Sequence, residues 1–185
     1  MSLKLIWAES QNGFIGKGDG LPWRITSEMK HFKTTTQGHA VVVGYNTFKG
    51  FEGRLLPNRL TLLYDARGFM NFEDMGVLDM AVGDLQNLRV VDEAEVVELA
   101  KTEDVYVIGG KATYENFMPL ADEIIRTVIH EDVEGDVEAP YVVWDWFLKT
   151  EIRKVSLPGE PSYTIEHYLS LIHISEPTRR TPISY

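Results

Sequence analysis

The sequence predicts a single α/β domain built on a mostly parallel, twisted central β-sheet, with an antiparallel C-terminal edge and helices flanking it. Three observations carry this. Short apolar runs rich in β-branched residues recur along the chain, helical patterns separate several of them, and the last two flank the turn-forming Pro158-Gly-Glu-Pro161. Strands that alternate with helices need crossovers and run parallel, whereas a tight turn joins antiparallel neighbours. A chain of 185 residues with 44% hydrophobic content is one domain long and large enough to bury a core without staples.

The opening strand is Leu3–Ala8. From Gly13 to Gly20 the glycine-rich stretch reads as a long mobile loop, and Pro22 stops regular structure after it. Ile25, Met29 and Phe32 fall at i, i+4 and i+7 and predict a helical core stripe capped by Thr26, with Glu28 one position off it and one turn before Phe32. Strands follow at Ala40–Val43 and Leu60–Tyr64. Asp92-Glu-Ala-Glu95 has capping-box spacing and starts a helix through Lys101. Val105–Ile108 is a strand, Lys111 to Met118 a helix stopped by Pro119, and Ile124–Ile129 a further strand. Ile152–Ser156 and Tyr163–Leu169 make the antiparallel edge. Nothing from Ser170 onward carries a motif or a helical period, so residues 1–169 are expected to form the domain and 170–185 a frayed or non-native extension.

Composition narrows the function. The chain has no cysteine, which excludes disulfides, thiolate catalysis and cysteine metal sites. Its five histidines show no metal-ligand spacing, so no metal is expected. A net charge of -10 argues against nucleic acid and against an anionic membrane surface. No run approaches a membrane span or a signal-peptide core, and the expected location is the cytoplasm.

Glu28 is the most informative residue. In an arbitrary helix a glutamate of the first turn answers the helix dipole. Here Phe32, Met29 and Ile6 are expected to surround it, which would desolvate the carboxylate, raise its pKa and strengthen bidentate bonds to a planar, amidine-like edge.

The order of these segments resembles the dihydrofolate reductase family: an opening strand, a loop ending in Pro22-Trp23, a helix bearing Glu28, Val41-Val-Val-Gly-Tyr-Asn-Thr-Phe48, Leu56-Pro-Asn-Arg59 and Tyr106-Val-Ile-Gly-Gly-Lys-Ala-Thr-Tyr114. The resemblance runs nearly the whole chain, ending near Tyr168. It implies a sheet of about eight strands, a monomer, and NADPH-dependent reduction of 7,8-dihydrofolate to 5,6,7,8-tetrahydrofolate, an antifolate-target step of one-carbon metabolism.

The same resemblance assigns roles. Glu28 accepts from the pterin 2-amino group and the neighbouring ring nitrogen, Trp23 orders a water near it, and Leu21 packs over the nicotinamide. Thr127 sets its hydroxyl against Glu28; Ile6, Ala8 and Phe32 line the pterin, and Ala8 also offers backbone to the carboxamide. Arg59 pairs with the α-carboxylate of the folate tail, and Phe51, Leu55 and Leu56 wall the aminobenzoyl group. Ile15, Gly44, Tyr45, Asn46 and Thr47, with Ile108, Gly109, Gly110, Lys111, Ala112 and Tyr114, hold the cofactor, its pyrophosphate between two helix starts.

Several positions depart from the family pattern. Tyr45 stands where many members carry arginine, Asp65 and Ala66 where small hydroxyl residues are usual, and Lys111 where a third glycine is common. Arg67 is the remaining candidate for the adenosine 2′-phosphate. Two alternatives stay open at the level of sequence: the riboflavin-pathway pyrimidine reductase of the same architecture, which has no use for the Trp23, Glu28 and Arg59 set, and a folate- or nucleotide-binding paralogue without turnover. Gly16-Lys-Gly-Asp-Gly20 is not a Rossmann fingerprint, because it lacks G-x-G-x-x-G and runs into Pro22 before its helix.

Overall fold

The structure is a computed structural model that describes residues 1–18, 20–65, 81 and 83–173. Its strands are β1 (Leu3–Ser10), β2 (Phe14–Gly16), β3 (Ala40–Gly44), β4 (Leu60–Tyr64), β5 (Leu88–Val90), β6 (Val105–Val107), β7 (Glu123–Ile129), β8 (Val137–Glu138), β9 (Phe147–Val155) and β10 (Tyr163–Ser170). The helices are α1 (Thr26–Thr36), α2 (Tyr45–Gly50), α3 (Glu93–Ala100) and α4 (Lys111–Phe117). Eight strands form one sheet in the order β5-β4-β3-β6-β1-β7-β10-β9, parallel from β5 to β7 and antiparallel at β7-β10-β9. The expected architecture is the observed one.

Helices cover both faces, which is why β3 is buried at every position and reads as an unbroken apolar run. Val41, Val43 and Ile6 pack with Ile25 at the start of α1 and Phe48 of α2. On the opposite face Val42, Leu5 and Trp7 pack with Val96 of α3 and Tyr114 and Phe117 of α4. After β1 the chain crosses toward β3, and after β6 it crosses back over β1 to β7. Connections diverge here, and such a divergence opens a crevice at the carboxyl ends of the strands.

The edges are managed by charge. β9 is exposed from Leu148 to Lys154 and carries Lys149, Glu151, Arg153 and Lys154, which discourage strand addition. Beside Trp7, the Arg126 guanidinium joins Glu9 (2.5 Å) to Glu166 (3.1 Å), and Lys149 and the Tyr168 hydroxyl complete the Glu166 shell at 3.1 and 3.0 Å. Burying carboxylates is costly unless they are paired in this way.

Four expectations are corrected. Thr26 does not cap α1: it is the first helical residue, and the N-cap position is Ile25, which makes no side-chain cap. Met29 is not core; it is 48% exposed. The buried side of α1 follows Ser27, Glu28, His31, Phe32, Thr35 and Thr36, so the stripe is centred on the acid and is largely polar. The Gly13–Gly20 segment is not simply a loop, since β2 pairs with β8 in a small ribbon. Lastly, β9 begins at Phe147, and β5, β2 and β8 are too short or too polar to show a strand period.

Candidate active site

Glu28 occupies the third helical position of α1 and is 7% exposed. Among the described residues its carboxylate receives no hydrogen bond, from Thr127 or from any other group. Burial alone pushes its pKa up to about 7. An acid so placed binds or releases a proton near neutrality and keeps its acceptor capacity for a ligand.

Tyr114 marks the depth of the site. Its hydroxyl crosses from the α4 face to donate to the Ile6 carbonyl at 2.7 Å. Its pKa is raised, first by burial and then by the charge of Glu28, so the phenol stays neutral beside the acid. A Cβ built on Gly109 would lie 3.5 Å from the same hydroxyl. Ile6, Gly109 and the charge of Glu28 therefore all lie close to the Tyr114 phenol, and Gly109 follows the carboxyl end of β6, where the diverging connections open a crevice. Ala8 and Thr127 sit side by side on β1 and β7, with Thr127 buried. Trp23 packs against the α1-side core, and its indole N–H is buried without a partner. An orphan buried donor of this kind fits a bound water.

Two helix starts meet next to this crevice. Gly44 N–H donates to the Gly109 carbonyl at 2.8 Å, which joins the ends of β3 and β6. A Cβ on Gly44 would stand 2.5 Å from the Thr113 hydroxyl, so only glycine fits. At Gly110 the same atom would come within 3.0 Å of the Thr47 hydroxyl. Gly44 and Gly110 are the N-cap residues of α2 and α4, and neither supplies a side-chain cap. Asn46 and Ala112 are exposed on these first turns, Thr47 and Lys111 half-buried. Lys111 Nζ lies 3.9 Å from Glu138, and Lys49 stacks over the Tyr45 ring at 5.4 Å.

A narrow apolar crevice follows from the strand ends, lined by Val43, Phe51, Arg54, Leu56, Thr61 and Ile108. Arg59 is 4% exposed. Its Nε donates to the Thr36 hydroxyl (2.8 Å), Nη1 to the Pro57 carbonyl (2.7 Å) and Nη2 to the Lys33 carbonyl (3.0 Å). Burial lowers its pKa. A guanidinium has five N–H donors, so three fix its plane and one on each terminal nitrogen stays available to a carboxylate.

The Gly13–Trp23 segment is held from outside the site. Gly18 N–H donates to both Asp136 oxygens, at 3.0 and 2.9 Å, and Asp136 N–H donates to the Gly16 carbonyl at 2.9 Å. Ile15 leans on the α3–α4 core, while Leu21 is 54% exposed. Arg67 lies outside the described residues. Sequence reasoning missed Asp136, Thr36 and Glu160; the last accepts from Thr26 N–H (3.0 Å), Ser27 N–H (3.4 Å) and the Ser27 hydroxyl (2.6 Å) at the start of α1. Glu160 belongs to Pro158-Gly-Glu-Pro161, which carried only a turn signal.

The dihydrofolate reductase family profile matches residues 2–168. Over 161 residues the chain is 29% identical to the dihydrofolate reductase of Ureaplasma parvum serovar 3, covering 87% of this chain and 90% of that protein. Over 139 residues it is 32% identical to the dihydrofolate reductase of Bacillus subtilis, covering 75% of each. Among solved structures, dihydrofolate reductase from Enterococcus faecalis complexed with NADP(H) and RAB-propyl superposes with a TM-score of 0.77 at 28% identity, covering 91% of this chain and 96% of that one.

Proposed function

The chain belongs to the dihydrofolate reductase family, and on that premise we propose that Glu28 is the group that grips and polarises the substrate. The protein is an NADPH-dependent oxidoreductase that reduces 7,8-dihydrofolate to 5,6,7,8-tetrahydrofolate. NADPH, when bound, supplies the hydride that passes from nicotinamide C4 to pterin C6. The remaining work is done by the chain's own side chains and amides.

The Glu28 carboxylate accepts from the pterin 2-amino group and the adjacent ring N–H. A buried acceptor with no internal partner gives these bonds their full strength and fixes which face of the ring meets the cofactor. The orphan Trp23 N–H holds a water between the indole and Glu28, and that water carries the proton to pterin N5. Thr127 and the Ala8 backbone close the floor, Ile6 and Phe32 pack against the pterin, and Phe51 and Leu56 wall the aminobenzoyl group. Arg59 offers its two uncommitted donors to the tail carboxylate.

The site suits the cofactor. Gly44 and Gly110 leave backbone bare at two adjoining helix starts, whose amide groups would receive the pyrophosphate. Thr47, Asn46, Tyr45, Lys111 and Ala112 stand on those first turns, and Ile108 leads into them. Leu21, Ile15 and Tyr114 would border the nicotinamide. The preference for NADPH at the adenosine end is assigned to Arg67.

One observation carries this reading: a buried carboxylate without a hydrogen-bond partner, close enough to the Tyr114 phenol beside Gly109 for its charge to act there. A panel of NADPH or NADH with dihydrofolate or a ribosylaminopyrimidine tests it. NADPH oxidation only with dihydrofolate is expected; turnover of the pyrimidine points to the riboflavin-pathway chemistry, and cofactor binding without turnover to a binding paralogue. We take the working unit to be a cytoplasmic monomer without nucleic-acid or membrane partners, in keeping with a net charge of -10. Among the described residues no helix is long and apolar enough to cross a membrane. Sedimentation at assay concentration tests the monomer.

A further inference from the structure

We propose that Lys49 is a specificity-determining residue for the cofactor: its ammonium, held over the Tyr45 ring at the start of α2, receives the 2′-phosphate that separates NADPH from NADH. The proposal rests on the reading of the chain as an NADPH-dependent reductase and adds a residue to the Arg67 assignment. Strand order gives the direction in which the dinucleotide lies. β6 stands between β1 and β3, and β4 lies beyond β3. The pterin and nicotinamide belong on the β1 side, beside Glu28 and Ala8, and the diphosphate at the seam where Gly44 bonds Gly109. The adenosine half then extends away from β1, toward the end of β4.

The strands fix what stands there. Gly44 and Tyr64 are the last paired residues of β3 and β4, and the chain continues from them as Tyr45 and Asp65. A carboxylate at such a place suits a ribose hydroxyl, whereas a 2′-phosphate is accommodated by a cation. The overall field of a chain with a net charge of -10 repels that phosphate as well. Use of NADPH therefore calls for a cation at the end of β4.

Each of the two helices that start at the seam carries one lysine, Lys49 on α2 and Lys111 on α4. Lys111 faces Glu138, whose strand β8 pairs with β2 directly after β1, so it stands toward the nicotinamide half. Lys49 belongs to the helix that packs on β3 and β4. One turn after Tyr45, its arm leans back toward the helix start and sets Nζ 5.4 Å from the centre of the Tyr45 ring. Among the described residues Lys49 makes no ion pair. The ring face limits the freedom of the arm before any ligand arrives, and the ammonium keeps N–H donors for phosphate oxygens.

The experiment is calorimetric titration of NADPH and of NADH into the ligand-free full chain, without dihydrofolate, for wild type, K49Q and K49R. K49Q is expected to raise the dissociation constant for NADPH about fivefold and that for NADH by less than about twofold. K49R, which keeps the charge, is expected to stay within about twofold of wild type for both. Adenosine 2′,5′-bisphosphate and adenosine 5′-monophosphate, which lack the nicotinamide half, are expected to show the same split. An unchanged ratio of the NADPH and NADH constants in K49Q overturns the proposal, whether both ligands weaken or neither does. Wild-type protein that binds neither dinucleotide overturns the reductase reading along with it, so the two failures are distinguishable.

Discussion

The Tyr114 hydroxyl donates to the Ile6 carbonyl at 2.7 Å, tying a helix on one face of the sheet to the strand beneath the acid on the other. The same phenol lies beside Gly109 and feels the charge of Glu28. Tyr114→Phe removes a buried hydrogen bond and is expected to cost about 1 kcal/mol. Its dissociation constant for NADPH rises as the floor loosens. Urea unfolding and cofactor titration check both, and an unchanged stability with unchanged binding would detach Tyr114 from the site.

Burial of Glu28 makes the protein less stable as the pH rises. The folded carboxyl titrates at about 7 and the unfolded one near 4.5. A raised pKa in an acid means that the folded state binds the proton more tightly, so its contribution is intact below pH 4.5 and is lost as the pH passes through about 7. Glu28→Gln carries no such penalty. It is expected to match wild type at pH 4.5 and to exceed it at pH 8 by on the order of 3 kcal/mol. Denaturant melts at the two pH values measure this, and equal differences at both would contradict the assigned burial.

Arg59 is oriented before any ligand arrives, through Thr36, Pro57 and Lys33. Arg59→Lys keeps the charge and loses the fork, so KM for dihydrofolate is expected to rise about tenfold or more while kcat changes little. A pterin substrate lacking the glutamyl tail should not distinguish the two proteins. If it does, Arg59 acts through the fold and not through the carboxylate.

The seam between β3 and β6 has no room for a side chain. Gly44→Ala sets a methyl group 2.5 Å from the Thr113 hydroxyl and is expected to cost about 1–3 kcal/mol. Adding Thr113→Ala removes the obstructing oxygen and should recover much of the loss. Thermal melts of the single and double variants decide the point; no recovery would place the strain elsewhere.

The fold was legible because its strands are apolar and its crossovers are long enough to show a helical period. β3 and the Asp92–Glu95 capping box needed nothing from distant residues. The helix carrying Glu28 is different. Its buried side is half polar, with Ser27 answered by Glu160 and Tyr163 and Thr36 by Arg59, so hydrophobic spacing turned the stripe toward Met29. β2 and β8 escaped notice because a three-residue and a two-residue strand are fixed by each other and by Asp136, not by local propensity. Glu28, Gly44 and Gly110 could be picked out because chemistry restricts those positions to few residue types. Glu160 could not, since its role depends on a contact across more than a hundred residues of chain.

The central claim is that the Glu28 carboxyl is required for reduction and not for binding the nucleotide. Single-turnover NADPH oxidation with saturating dihydrofolate, compared between wild type and Glu28→Gln near neutral pH, tests it most directly. The expected result is a rate lower by about two orders of magnitude or more with an unchanged dissociation constant for NADPH. A variant that oxidises NADPH at close to the wild-type rate would contradict it.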